Sequence, residues 1–214
     1  MSEQEIKKTI RLKINSDCIE GDLSIPENPK GLIIFAHGSG SSRFSPRNSH
    51  VAQLLHKNDL ATFLVDLLTK HEDQNYESRF NIDLLAERLI TITNWLREDD
   101  DVKHLKMAYF GASTGAAATV KAAVKQKGGI SAIVSRGGRV DMAVKELDEL
   151  QTPILLIVGE NDDFVVESNA DALKKINCPK KLSIIPRATH LFEEPGSLEE
   201  VAREASKWFL QFFK

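Results

Sequence analysis

Ser113 lies in Gly111-Ala112-Ser113-Thr114-Gly115, directly after the apolar run Met107-Ala108-Tyr109-Phe110 and directly before Ala116-Ala117-Ala118. An apolar run, a Gly-x-Ser-x-Gly stretch and an alanine-rich segment read as strand, sharp turn, helix. In such a turn the central residue is held in a strained backbone conformation. Its neighbours two positions away must be nearly free of side chain to clear the strand and helix beside them, and Gly111 and Gly115 meet that demand. The hydroxyl is then pushed out at a helix N-terminus, where unpaired N–H groups and the helix dipole favour negative charge. A serine so placed is a candidate nucleophile, and it needs a base and an orienting acid.

His190, in Ala188-Thr189-His190-Leu191, is the candidate base. Imidazole titrates near neutral pH, so one ring nitrogen can take the serine proton while a carboxylate fixes the other. The acid is sought in Gly159-Glu160-Asn161-Asp162-Asp163. Asp162 is preferred, with Asp163 and Glu160 as alternatives. A developing oxyanion needs N–H donors. One is the amide of Thr114, the residue after the nucleophile. The other is expected from His37-Gly38-Ser39-Gly40, with Ser39 N–H preferred and Gly40 the alternative. His37 itself is expected to hold its loop by hydrogen bonds.

These groups need elements to position them. Lys7 to Ile14 and Ile19 to Ile25 alternate apolar and polar residues around Asn15-Ser16-Asp17, which predicts an antiparallel hairpin at a sheet edge. Gly31 to Ala36, Ala61 to Val65, Ile130 to Ser135 and Pro153 to Val158 are apolar runs of the kind that form central strands buried on both faces. Lys181 to Ile185 is a further strand. Helices are predicted over Pro46 to Lys57, Ile82 to Leu96, the stretch after Ser113 up to Lys127, Met142 to Leu150, Val166 to Lys175 and Leu198 to Phe213. Strands alternating with helices give a mostly parallel α/β sheet. In such a sheet the strand C-termini gather at one edge, where these folds bind ligands. Ser113, the acidic cluster and His190 each follow a predicted strand, in the order nucleophile, acid, histidine.

The His37-Gly38-Ser39-Gly40, Gly111-Ala-Ser-Thr-Gly115, Gly159-x-x-Asp162-x-x-Val165 and Ala188-Thr-His190-Leu-Phe stretches resemble the α/β-hydrolase superfamily, specifically its small dienelactone-hydrolase-like branch. The resemblance covers nearly the whole chain. It implies the α/β-hydrolase fold, a mostly parallel sheet of about eight strands with the first ones antiparallel and helices on both faces. It also implies a Ser-His-Asp triad working without a cofactor. Dienelactone hydrolases themselves use a cysteine nucleophile, whereas position 113 is serine, which favours an ordinary ester or related acyl substrate. Only residues 136–152 could form a lid, so a minimal one is expected. Asp66 to Phe80 could roof the site.

A chain of 214 residues suits one sizeable core, so a single domain over 1–214 is expected. The net charge of −3 and pI near 6.1 give no reason to expect nucleic acid. The N-terminal residues show no apolar leader, and no stretch reaches the ~18 apolar residues of a membrane span. The two cysteines, Cys18 and Cys178, suit a reducing, cytoplasmic setting. No Cys or His spacing matches a metal site. The last helix, with Trp208, Phe209, Phe212 and Phe213, is expected to pack on the sheet, and a monomer and a homodimer are both compatible with it. Arg136 and Arg139, in Ser135-Arg-Gly-Gly-Arg, and Arg43 and Arg47, after the oxyanion loop, offer substrate-binding cations. Two readings stay open for them: binding an anionic group of the acyl substrate, or local pairing with carboxylates such as Asp141.

Overall fold

The computed structural model describes residues 5–214; residues 1–4, which begin the stretch read as lacking a leader, lie outside them. The chain folds as β1 (Ile6–Ile14), β2 (Asp17–Ile25), β3 (Leu32–Ala36), α1 (Pro46–His56), β4 (Ala61–Val65), α2 (Ile82–Leu96), β5 (Met107–Ala112), α3 (Thr114–Lys125), β6 (Ile133–Arg136), β7 (Ile154–Gly159), α4 (Asp163–Lys175), β8 (Lys180–Ile185) and α5 (Ser197–Phe212). The sheet order is β1-β2-β4-β3-β5-β6-β7-β8. β1 pairs antiparallel with β2, and β2 antiparallel with β4. From β4 to β8 every pairing is parallel. The strands that alternate in sequence lie at the edge, while β3, β4, β5 and β7 are buried at every residue.

Successive residues of β5 point to opposite faces, so Met107 and Tyr109 join one core while Ala108 and Phe110 join the other. α2, α3 and α4 bury their apolar stripes on the first face. α1 and α5 cover the second, where Phe209 is fully buried and Trp208, Phe212 and Phe213 pack against it partly buried. This two-sided covering places the ends of β3, β5, β6, β7 and β8 at one edge. Among the described residues no helix is long and apolar enough to cross a membrane.

Most element boundaries move by a residue or two from the sequence reading, two of the shifts matter for the site, and one expected helix does not form. β6 starts at Ile133 and runs one residue further, so Arg136 is inside the sheet opposite Ala112 and Ile157. α4 begins at Asp163 rather than near Val166, which puts Asp162 at its N-cap. The helix expected over Met142 to Leu150 is absent; a 3-10 turn over Val140–Ala143 and further turns replace it. Val140, Ala143, Leu147 and Leu150 are buried at a spacing that also fits a helix. The backbone bonds here, Val144 N–H to Asp141 O and Glu146 N–H to Ala143 O, span three residues, so the segment turns tightly instead of winding into an α-helix.

Candidate active site at the strand C-termini

β5 ends at Ala112 and α3 begins at Thr114, leaving Ser113 alone in the turn with φ 50° and ψ −122°. Non-glycine residues rarely take this conformation, and it is held here by close packing on both sides. A Cβ on Gly115 would lie 2.2 Å from Ala36 O and 2.5 Å from His37 O; one on Gly111 would lie 2.5 Å from Ala116 Cα. The Ser113 side chain makes no capping bond to its own helix. Its backbone is tied to the next loop: Ser113 N–H donates to Arg136 O (3.1 Å) and Arg139 N–H donates to Ser113 O (3.0 Å).

His190 meets the same loop. A Cβ on Gly137 would stand 3.2 Å from His190 O and 3.5 Å from its Cε1. His190 Nδ1 lies 2.6 Å from Asp162 Oδ2. Of the three candidate acids, Asp162 is the one on the imidazole. Aspartate at an N-cap usually accepts a bond from its own helix, but this side chain makes no such bond and reaches His190 instead. Asp163 is the first residue of α4, and the Glu160 carboxylate accepts the Arg187 N–H at 2.7 Å.

The loop after β3 closes onto the Ser113 turn, the elbow between β5 and α3. A Cβ on Gly38 would come to 3.0 Å from Ser113 Cβ, so the loop backbone passes directly beside the serine. Ser39 N–H donates to Thr114 Oγ1 at 2.8 Å. The two residues chosen as oxyanion donors are therefore in contact, through a side-chain hydroxyl that the sequence reading did not use. His37 clamps the loop. Its Nδ1 lies 2.9 Å from Gly38 O, and its Nε2 accepts the Leu67 N–H at 3.1 Å, tying the loop after β3 to the loop after β4. The following residues 66–81 pack on the same place, with Arg79 held by Asp73 close to Gly40.

This clamp requires a neutral imidazole, and burial pushes the His37 pKa below its ordinary value. In the unfolded chain the ring takes a proton as pH falls through about 6.5, while the folded protein resists it. The His37 contribution is thus intact above that pH and shrinks as pH falls toward the depressed folded value, at no more than about 1.4 kcal/mol per pH unit. Urea unfolding at pH 8 and pH 5.5 should show this loss in the wild type and a smaller one in His37→Gln. Equal slopes in the two proteins refute it.

The arginines divide. Arg43 donates to Asp66 and, at 2.6 Å, to Glu20, with Asp22 at 3.3 Å; it straps the loop after β3 to β2 and the end of β4. Arg139 grips Asp141 with two bonds of 2.9 Å. Arg136 is different. It is 7% exposed, and its Nε and Nη1 are buried with no hydrogen-bond partner among the described residues. Burial, with the Arg47 guanidinium adding to it, pushes its pKa down to about 10. The ring of Phe192, two residues after His190, is centred 6.0 Å from it.

A family model described as the dienelactone hydrolase family matches residues 19–214. The chain belongs to this family. The Anabaena variabilis dienelactone hydrolase is 46% identical, with a TM-score of 0.95, over 99% of this chain and 100% of that one. Est1E from Butyrivibrio proteoclasticus, solved with ferulic acid, shares the fold at 16% identity with a TM-score of 0.83 over 95% and 98% of the two chains. A Mycobacterium tuberculosis protein named "Putative phosphoribosyl transferase" is 49% identical over 192 residues, 90% of this chain. This chain spans 43% of that protein's length. Eight strands with the first antiparallel, expected from the resemblance, are those observed among the described residues.

Family membership does not by itself reveal the bonds around the histidine loop. Glu160, Asn161 and Glu194 all bind the backbone of residues 187–189, and nothing in their spacing marks them in the sequence.

Proposed function

We propose that this chain is a serine hydrolase acting on a small ester or related acyl compound. The observation that carries the reading is Ser113 in a strained strand-to-helix turn, packed against the loop that also packs against an Asp162-bound His190. In this reading Ser113 Oγ attacks the acyl carbonyl and His190 Nε2 takes its proton. Asp162 holds the ring so that Nε2 faces the serine and stabilises the imidazolium. The Thr114 and Ser39 amides receive the oxyanion, Ser39 after release from the Thr114 hydroxyl. His190 then returns the proton to the leaving group, and water, activated the same way, frees the acyl chain. Treating the folded protein with a fluorophosphonate tests the assignment. Covalent labelling at Ser113 supports it, and a protein that neither labels nor hydrolyses esters is a binding protein on the same scaffold. The transferase name belongs to the longer mycobacterial protein. Transfer to an acceptor other than water is the second reading, read out by products formed with added alcohol. A cytoplasmic setting is proposed with it, supported by free Cys18 and Cys178.

The substrate's charge is read from Arg136. Arg43 and Arg139 already have carboxylates, whereas the buried Arg136 has none, and the charge of Arg47 adds to its cost. An unpaired buried guanidinium costs several kcal/mol, and an anionic group on the substrate offsets that. Arg136→Met should therefore lower the kcat/KM ratio for an anionic over a matched neutral ester by about tenfold or more. The same variant should raise Tm, since it removes the buried charge. A ratio that does not change ends the anion assignment.

A further inference from the structure

Resting on the hydrolase reading, we infer that Glu160 and Asn161 are positioning residues that grip a strained turn and set His190 on Asp162. Three residues in a row, Glu160-Asn161-Asp162, leave the end of β7 and reach the loop after β8. Asp162 touches the imidazole. The two before it hold one residue of that loop, Arg187, by both sides of its backbone. Glu160 Oε2 accepts the Arg187 N–H at 2.7 Å, and Asn161 Nδ2 donates to Arg187 O at 2.9 Å. Asn161 N–H donates to Ala188 O at 2.9 Å.

Arg187 needs such a grip because its φ is +62°, a region side-chain-bearing residues avoid. Residues held there are strained and persist where their surroundings over-determine them. The Arg187 turn sets where the next three residues go, and the third is His190. Phe192, at φ +57°, is the second such residue in the loop, and Glu194 holds the stretch between by accepting from Thr189 N–H (3.1 Å) and Thr189 Oγ1 (2.6 Å). The clamp and Asp162 come from one tripeptide. Any shift of the histidine loop against the end of β7 therefore breaks the clamp and the 2.6 Å contact together.

Glu160, Asn161 and Arg187 are exposed, so changing them leaves both cores untouched. Asn161→Ala and Glu160→Ala should lower kcat by about 10–100-fold, the scale of a misplacement near 1 Å, with KM and Tm little changed. Glu160→Gln keeps an acceptor and should stay close to wild type. Glycine takes φ +62° without strain, so Arg187→Gly in the Asn161→Ala background should restore most of kcat. A general structural role for Asn161 would not give rescue by removing the Arg187 side chain, since that change restores none of the lost hydrogen bonds and only relieves the strained φ that they held. A second readout does not depend on turnover: the downfield proton resonance of His190 Nδ1–H on Asp162, present in wild type, should broaden or vanish in Asn161→Ala and return with Arg187→Gly. Wild-type kcat in both alanine variants overturns the inference, as does loss without rescue. If the wild-type protein neither labels nor turns over esters, the hydrolase reading fails; the resonance then decides on its own whether the clamp positions His190.

Discussion

Ser113→Ala is expected to remove hydrolysis of a short-chain nitrophenyl ester by about four to six orders of magnitude, and to abolish fluorophosphonate labelling, while the protein stays folded. The size follows from the division of labour at such sites. On the proposed hydrolase reading, loss of the nucleophile leaves His190 and Asp162 no covalent step to assist, and the residual rate is what the proposed oxyanion donors give a water molecule. The fold should survive because the serine hydroxyl makes no capping bond to α3. The bonds that hold the turn, to Arg136 O and from Arg139 N–H, are made by backbone that alanine retains. Circular dichroism and Tm serve as the control. Labelling that persists in this variant would transfer the nucleophile to another residue and undo the assignment.

The parts of this site that were legible in the sequence are those with a local signature. The elbow is written in Gly111 and Gly115, because both close approaches forbid a side chain. The central strands were legible because each run is apolar on both faces, and the edge hairpin because it alternates. Asp162 and His190 were found by their places after strands, although 28 residues separate them and only the sheet brings them together. What stayed hidden depends on contacts between distant segments. No periodicity says that Arg43 is engaged by Glu20 and Asp66 while Arg136 is not; that follows from β6 running one residue further and carrying Arg136 under Phe192. The Met142 to Leu150 expectation failed for a related reason. Buried residues at intervals of three and four are compatible with a helix and with consecutive tight turns, and the backbone bonds decide between them.

The Ser113 turn and the loop after β3 are one packing unit. Gly115 is in the first turn of α3, and the atoms that a side chain there would strike belong to the end of β3 and to His37. His37 in turn holds Leu67 and Gly38, and Ser39 holds Thr114. The strained φ of Ser113 is thus imposed from two sides, by α3 pressing on β3 and by the loop after β3 closing over the serine.

Gly115→Ala is the substitution expected to damage stability most. The added methyl would sit 2.2 Å from Ala36 O and 2.5 Å from His37 O, and both are backbone atoms of a buried strand end, not flexible side-chain tips. Alanine has the better intrinsic helix propensity, by about 1 kcal/mol, and in an exposed helix the same change would stabilise. Here overpacking against a carbonyl that cannot retreat outweighs that gain: such changes typically cost about 1–3 kcal/mol, and rigid backbone on the far side places this one at the upper end. For a chain of this size about 3 kcal/mol lowers Tm by roughly 6–12 °C. The relief available to the protein is for α3 to move off β3, which also carries Ser113 and the Thr114 amide away from Ser39. Activity at temperatures well below the new Tm should therefore fall together with stability, in the folded protein. Gly128→Ala is the control, since a Cβ there meets nothing within 4 Å and its cost comes from φ +88° alone, far from Ser113. A Gly115→Ala protein with wild-type Tm would mean that α3 and β3 do not press on each other as described, and the strained turn at Ser113 would lose its physical support.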